Sequence, residues 1–213
     1  MQMDIIFSIL ILIISIILHE VAHGYMANYL GDPTAKLQGR LTLNPVSHID
    51  PVGSVILPAL LALAHSPLLI GYAKPVPYNP YNLRGKYGET WVAVAGPATN
   101  LLLALLFGLM IRLGGVAMTP DLLGAFTIIV YINLLLALFN LLPIPPLDGS
   151  KVLAGILPGS LGRKYELFRA NFERLGLVSG ILLVLLVFYI LSPYFLALVR
   201  FVFTLITGVG LGA

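Results

Sequence analysis

The sequence predicts an all-α membrane protein with several spans, and three observations support this prediction. Only 10% of the 213 residues are charged and 59% are hydrophobic, whereas soluble domains average about 25% charged residues. The apolar residues form long runs, and residues 5–18 contain no charge. Prolines and small polar clusters separate these runs. We expect about five to six membrane segments in a single domain, 1–213, with a short extended or re-entrant region between the first and third helical runs.

The first half of the chain is predicted to begin with one long helix and to continue as irregular backbone. Residues 4–30 form a helix of about 40 Å, longer than the ~30 Å hydrocarbon core, and a Gly-Asp-Pro sequence at 31–33 ends it. Brief alternation at 39–45 indicates a short strand. The apolar run 52–71 contains two prolines and either spans the membrane or re-enters on one side. Three prolines within 72–88 exclude a regular helix there and favour extended backbone.

The second half is predicted to return to helix. Prolines at 143, 145 and 146 unwind the chain before Asp148, and a short helix restarts at Ser150. Pro193 is expected to break the last apolar region, leaving a final span or an interfacial helix after it. The predicted elements are helical runs at 89–113 and 122–142, a basic loop or amphipathic piece at 158–175, a span at 176–192 and a last segment at 193–208.

Charge and cysteine content exclude several classes of protein and predict an orientation. The chain has no cysteine, so disulfides and thiolate ligands are excluded, and no basic cluster is large enough for nucleic-acid binding. The first run lacks the positive n-region and cleavage site of a signal peptide and is expected to be retained. Basic groups at 36–40, 74–86 and 151–174 predict a multi-pass protein of the cell membrane with these loops in the cytoplasm.

His19, Glu20 and His23 form an H-E-x-x-H motif late in the first helix. Residues four apart share a helix face, so the two histidines can reach one ion with Glu20 beside them. In this arrangement two imidazoles hold zinc and the glutamate acts as general base. Each ionisable side chain costs about 2.5–3.5 kcal/mol at the centre of a membrane helix, so this cluster needs a compensating partner. We expect one Zn²⁺ per chain, towards the cytoplasmic side.

Asp148 is the favoured third ligand. A catalytic zinc commonly has three protein ligands and one open position. Asp148 follows a proline-broken turn at the end of a span, and irregular backbone at membrane depth is tolerated where it is buried in protein or lines a wet cavity. A helix N-cap is the alternative role of Asp148. His48 is either a solvated side chain or a gate or extra ligand, and His65 is expected to be interfacial and inert.

Three motifs together resemble the signatures of the site-2 protease family of intramembrane zinc metalloproteases. They occur in the expected order and cover most of residues 10–155: His19-Glu20-x-x-His23, Gly96-Pro97-x-x-Asn100 and Asn140-x-x-Pro143-x-Pro145-x-Leu147-Asp148-Gly149. The sequence at 39–51 is similar to a compact prokaryotic branch without PDZ or CBS domains. Gly96 and Pro97 are expected to allow close helix approach and a bend.

The resemblance implies roles for the site residues. Zinc would be held by His19, His23 and Asp148, with Glu20 as the base. Asn140 would lie near the scissile carbonyl, where its amide N–H could stabilise a developing oxyanion. A helix–helix hydrogen bond is the alternative for Asn140, and it is the favoured role for Asn100.

The resulting hypothesis is hydrolysis of peptide bonds within the membrane. The substrate would be a transmembrane protein whose helix unwinds locally, and extended segments at 40–44 and 73–79 could pair with it by β-augmentation. Residues 72–80 are therefore expected to contact the substrate, with a plain interfacial loop as the alternative. Two other functions remain open, a membrane metal-ion transporter using the same residues and an inactive membrane chaperone that keeps zinc as a staple. The expected partners are this substrate and the lipid bilayer, with no nucleic acid.

Overall fold

The computed structural model describes residues 2–56, 73–174 and 176–210, and this part of the chain contains helices and turns but no strand. The all-α prediction is therefore confirmed. The helices are α1 (Gln2–Tyr29), α2 (Thr34–Leu37), α3 (Gly88–Gly114), α4 (Pro120–Asn140), α5 (Asp148–Ile156), α6 (Gly159–Arg174) and α7 (Leu177–Thr207). Short 3₁₀ or π turns occupy Pro45–His48, Pro51–Ile56, Pro80–Asn82 and Gly115–Ala117.

Four of these helices are long and apolar enough to cross a membrane, which makes the chain a multi-pass membrane protein. Their membrane-length windows are Ile5–Tyr29, Gly88–Ala117, Pro120–Asn140 and Leu182–Thr207. The sequence predicted about five to six segments. Most of the predicted segment 52–71, with His65, lies outside the described residues.

The predicted strand at 39–45 is wrong, because local side chains take up the backbone groups. The Thr42 hydroxyl accepts the N–H of Asn44 at 3.2 Å, and the Asn44 side chain accepts the N–H of Val46 at 3.1 Å. Such local bonds replace the ladder of a strand. The chain there is irregular and leads into the 3₁₀ turn Pro45–His48.

The predicted break at Pro193 is also wrong, because α7 continues through this residue. A proline cannot donate to the carbonyl four residues earlier, which here belongs to Tyr189. The Ser192 hydroxyl donates to that carbonyl at 3.2 Å. A side chain thus satisfies the group that the proline leaves free, as in other membrane helices that contain proline.

Helix α3 lies at the centre of the bundle and contacts α1, α4, α5 and α7. The apolar core joins α3, α4 and α7 and consists of Ala104, Ile111, Val130, Leu134, Phe195, Val199 and Phe203. The chain leaves one end of the bundle along α3 and returns along α4. Asp148, which follows α4, therefore lies at the same end of the bundle as His19 and His23 and contacts both.

The basic piece predicted at 158–175 is helix α6 and is tied to the same end of the bundle. Arg169 of α6 is only 6% exposed. Its guanidinium donates to Glu89 at the start of α3 at 3.1 Å and to Glu166 of its own helix at 2.7 Å. These carboxylates outweigh the effect of burial and raise the pKa of Arg169, so its guanidinium is a permanent cation. Its charge-assisted bond to Glu89 holds α6 beside α3.

Candidate metal centre

Three side chains from α1 and α5 bring one ligand atom each to a common point. The Nε2 atoms of His19 and His23 are 3.0 Å apart, and they lie 3.1 Å and 3.2 Å from Oδ2 of Asp148. Zinc with ligands at about 2.0–2.1 Å in tetrahedral geometry needs ligand atoms about 3.4 Å apart. The three atoms therefore fit one zinc ion with shifts of a few tenths of an ångström.

Hydrogen bonds fix the histidine tautomers that zinc requires. The Nδ1–H of His19 donates to Oδ1 of Asn100 at 2.6 Å, and the Nδ1–H of His23 donates to the carbonyl of Val92 at 2.6 Å. With Nδ1 protonated, each neutral ring turns the lone pair of Nε2 towards Asp148. Lone pairs that converge on one point repel each other unless a cation or a proton lies between them, so the donor set suits a divalent metal.

A glycine lets α3 pass close to both imidazoles. His19 and His23 are only 6% and 8% exposed. A Cβ placed on Gly96 would lie 2.6 Å from the Nε2 of His19, and it would contact His23 at least as closely. The expectation that Gly96 allows close helix approach is confirmed, and the approach occurs at the ligand atoms themselves.

Asp148 points into the site and does not cap its helix, so the capping alternative is wrong. Leu147 is the N-cap residue of α5, and no side chain caps that end. Oδ2 of Asp148 instead faces Nε2 of both rings, at 3.1 Å and 3.2 Å. An ionised carboxylate in this position would complete the donor set for a metal. Within the described ranges the group consists of these three residues, so a tetrahedral zinc held here would keep one position for water or substrate.

Glu20 and Asn140 both line the cavity beside these ligands. The cavity measures about 200 Å³. Oε2 of Glu20 accepts the backbone N–H of Val76 at 2.9 Å. The Asn140 amide donates one hydrogen to the carbonyl of Leu136 in its own helix at 2.9 Å. An amide nitrogen carries two hydrogens, so the second is available to a ligand in the cavity.

Residues 73–79, which we call the covering segment, lie across the cavity as extended backbone. The non-helical structure predicted here is confirmed for these residues. Arg40 donates to the carbonyl of Lys74 at 2.9 Å, and the N–H of Lys74 donates to the carbonyl of His48 at 2.9 Å. At the far end, the N–H of Asn79 donates to the buried carboxylate of Asp32 at 2.7 Å.

His48 supports the covering segment and is absent from the ligand group. It is 3% exposed, and its Nε2–H donates to the carbonyl of Thr42 at 2.8 Å. The solvated side chain considered for His48 is therefore wrong, and His19, His23 and Asp148 form their group without it.

Lys151 places a positive charge at the cavity wall, and sequence reasoning missed it. Its Nζ lies 5.1 Å from the ring centroid of Tyr78 in the covering segment. Burial lowers the pKa of Lys151, but the Tyr78 hydroxyl and nearby carboxylates raise it by more, so Lys151 is a cation at neutral pH. The available signal was its position three residues after Asp148, which is one turn further along the same helix face.

The sequence analysis also missed Ser15 and Asn133, which lie behind His19. The amide of Asn133 accepts from Asn100 at 2.8 Å and donates to Ser15 at 3.0 Å. Asn133 is 1% exposed in the middle of α4. A polar residue inside an apolar span was the available signal, because such residues are rare in membrane helices without a partner.

Comparison with known proteins identifies the family. The sequence model of peptidase family M50 matches residues 109–187. A Bacillus subtilis protein named "Putative zinc metalloprotease YwhC" is 38% identical over 168 residues, which cover 74% of this chain and 72% of that protein. The chain belongs to peptidase family M50. No solved structure matches it.

Two further relatives extend the similarity. "Putative zinc metalloprotease Rip2" of Mycolicibacterium smegmatis is 29% identical over 90% of this chain and 70% of its own length. "Putative zinc metalloprotease MJ0611" of Methanocaldococcus jannaschii is 32% identical over 69% of this chain and 72% of its own. The resemblance to site-2 proteases is confirmed. The chain is a membrane zinc metalloprotease, and the metal-transporter alternative is set aside.

Proposed function

We propose that this M50 protein is an intramembrane endopeptidase that cleaves transmembrane proteins, with zinc held by His19, His23 and Asp148. The observation that supports this most is the convergence of these three ligand atoms, 3.0–3.2 Å apart, inside a bundle of apolar helices. When bound there, zinc lowers the pKa of a water molecule and polarises a substrate carbonyl. The reaction class is hydrolysis of a peptide bond.

Glu20 is the proposed general base. It neighbours His19 on α1 and lines the same cavity. Its carboxylate takes a proton from the attacking water at one oxygen and passes it to the leaving amine. The other oxygen holds the N–H of Val76, which keeps the carboxylate oriented.

Asn140 is the proposed oxyanion donor. It ends α4 on the cavity wall, and the bond to Leu136 fixes its Nδ2 in place. A pre-oriented amide N–H stabilises charge that develops on a carbonyl oxygen, and loss of one such donor costs roughly 100- to 1000-fold in rate. A loss of that size in kcat for Asn140→Leu, with zinc still bound, would support this role.

The substrate is a membrane segment that unwinds at the site. The ligands lie near the ends of apolar helices, where a partly unwound helix and water can both be present. Exposed basic residues such as Lys36 and Lys164 lie at this end of the bundle. Because Lys and Arg mark the cytoplasmic side, the site faces the cytoplasm of a cell membrane.

Zinc content and cleavage of a transmembrane substrate test the proposal together. We expect purified wild type and Glu20→Gln to hold one zinc per chain, while Asp148→Ala loses most of it. Asp121→Ala, which removes an exposed acid at the other end of α4, is the matched control and should keep zinc and activity.

A cleavage assay then tests the general base separately from metal binding. Wild type should cut a transmembrane reporter in lipid vesicles, and Glu20→Gln should lose the activity while it keeps the metal. Full zinc occupancy in Asp148→Ala would refute the ligand assignment. Undiminished cleavage by Glu20→Gln would refute the general base.

A further inference from the structure

A continuous line of polar side chains runs from His19 through the interior of the apolar bundle. His19 bonds to Asn100 of α3, Asn100 to Asn133 of α4, and Asn133 to Ser15 of α1, at 2.6, 2.8 and 3.0 Å. Asn100, Asn133 and Ser15 are 0–2% exposed. Buried polar groups in a membrane must find partners, but pairing within one helix would satisfy that need. This line instead joins three helices, and one end of it is His19, a proposed metal ligand.

Each bond in the line has a fixed direction. The Nδ2 of Asn133 donates to the Ser15 hydroxyl and to the carbonyl of Ile129 at 2.9 Å, so its Oδ1 must face Asn100. Nδ2 of Asn100 donates to Oδ1 of Asn133 at 2.8 Å and, over the longer distance of 3.4 Å, to the backbone carbonyl of Ser15. Both acceptors turn Oδ1 of Asn100 towards His19, and the shorter bond is the one to Asn133. Oδ1 has no hydrogen to give, so the ring must donate its Nδ1–H.

The opposite orientation of Asn100 would prevent metal binding. If the amide of Asn100 were flipped, its N–H group would face Nδ1 of His19. Nδ1 would then accept, and the proton of the neutral ring would lie on Nε2, the atom that faces His23 and Asp148. A protonated Nε2 has no lone pair for a metal.

We propose that Asn133, supported by Ser15, is a positioning residue that sets the orientation of Asn100 and thereby the metal-binding tautomer of His19. The inference rests on the proposed metal site and deepens it. Asn133 is not among the residues that line the cavity, and its hydrogen bonds go to Asn100, Ser15 and Ile129, so it acts through Asn100. Outer hydrogen-bond partners of zinc ligands commonly contribute 10- to 100-fold in metal affinity.

Zinc affinity of purified variants in detergent, measured by competition with a chelator, tests this role. Asn133→Leu should weaken zinc binding about 10- to 100-fold and change the visible spectrum of the cobalt-substituted protein. Thr207→Val is the matched control, because Thr207 is also a buried polar residue of a membrane helix but bonds only near its own helix end. It should leave zinc affinity and the cobalt spectrum unchanged.

Rescue distinguishes positioning from simple packing. In Asn100→Asp the two carboxylate oxygens are equivalent, so His19 meets an acceptor in either orientation and no longer needs Asn133. The double variant Asn100→Asp with Asn133→Leu should therefore bind zinc nearly as tightly as Asn100→Asp alone. A packing role predicts that Asn133→Leu costs the same affinity in both backgrounds, and that result would overturn the proposal.

Two other outcomes separate this role of Asn133 from the proposed metal site. If Asn133→Leu binds zinc as tightly as wild type, the positioning role of Asn133 is refuted and the metal site is not. If the wild-type protein binds no zinc, the proposed metal site itself is refuted. If Asn133→Leu does not fold, Ser15→Ala tests the next link, since it removes one of two acceptors that hold Asn133. A several-fold weaker zinc affinity in Ser15→Ala would support the positioning role of Asn133, and an unchanged affinity would refute it.

Discussion

The backbone N–H of Val76 donates to Oε2 of Glu20 at 2.9 Å, so the covering segment touches the proposed general base directly. Val76 is 5% exposed and lines the cavity together with His19, His23 and Asp148. A substrate strand that reaches Glu20 must therefore pass beside this residue. The N–H groups of Lys74, Val76 and Asn79 already have partners within the chain. A substrate that pairs with this segment would therefore rely mainly on the carbonyls of residues 76–78.

The first prediction is that Val76 contacts the substrate. A photo-crosslinking residue at Val76 should trap a transmembrane substrate in Glu20→Gln protein, because this position borders the base. The same residue at Leu123, on α4 far from the cavity, is the control. If position 76 traps no more substrate than position 123, the covering segment is only a loop.

A second prediction concerns Gly96. Gly96→Ala should reduce zinc affinity at least about 10-fold, because the added methyl group displaces the Nε2 atoms of both histidines. Gly124→Ala makes the same change in α4, where a Cβ meets nothing within 4 Å, and it should bind zinc normally. Chelator competition on the two variants measures the difference. Equal zinc affinities would show that α3 does not press on the ligands.

The third prediction uses the pH dependence of Asp32. Burial raises the pKa of Asp32, but hydrogen bonds from Thr34, Asn82 and Asn79 lower it by more. A lowered pKa in the folded state means that the contribution to stability is present above the unfolded value of about 3.9 and is lost as pH falls through the folded value. Asp32→Asn should therefore cost roughly 2 kcal/mol at pH 7, as for hydrogen bonds to a charged group.

Melting curves in detergent from pH 7 down to pH 3 check this prediction. The difference in melting temperature between wild type and Asp32→Asn should shrink as pH falls below about 4. Asp121→Asn, a change at an exposed acid, should melt like wild type throughout. A difference that stays constant down to pH 3 would contradict the assigned role of Asp32.

The fourth prediction concerns orientation in the membrane. Lys36 on α2 and Lys164 on α6 are exposed near the metal-centre end of the bundle. Cysteines at these positions should react with an impermeant maleimide in inverted vesicles but not in intact cells. The chain has no cysteine of its own, so unchanged wild-type protein is the blank. Labelling of either position in intact cells would reverse the assigned orientation.

The sequence predicted well those features that depend on spacing within one segment. Apolar runs predicted three of the four spanning helices, at 4–30, 89–113 and 122–142, and the separation of four residues between His19 and His23 predicted their shared face. Asp148 could also be chosen from the sequence as the candidate third ligand, because a proline-broken turn at the end of a span restricts where the next polar side chain lies. Its partner His19 is 129 residues away, so the contact itself required the fold.

Local rules failed where a neighbouring side chain changed the outcome. Pro193 reads as a break until Ser192 satisfies the carbonyl of Tyr189. The alternation at 39–45 reads as a strand until Thr42 and Asn44 take up the backbone N–H groups. In both cases the decisive hydrogen bond comes from a side chain, which patterns of hydropathy do not record.

By itself, the sequence determined a helical membrane protein with a histidine pair and a neighbouring glutamate, because helix periodicity and hydrophobicity act along the chain. Only the tertiary structure decided which atoms meet: Oδ2 of Asp148 with Nε2 of His19, Asn100 and Asn133 behind His19, and Val76 against Glu20. These are contacts between different helices or between a helix and a loop. They depend on how apolar surfaces pack and on the need to pair every buried polar group, and both are properties of the folded bundle.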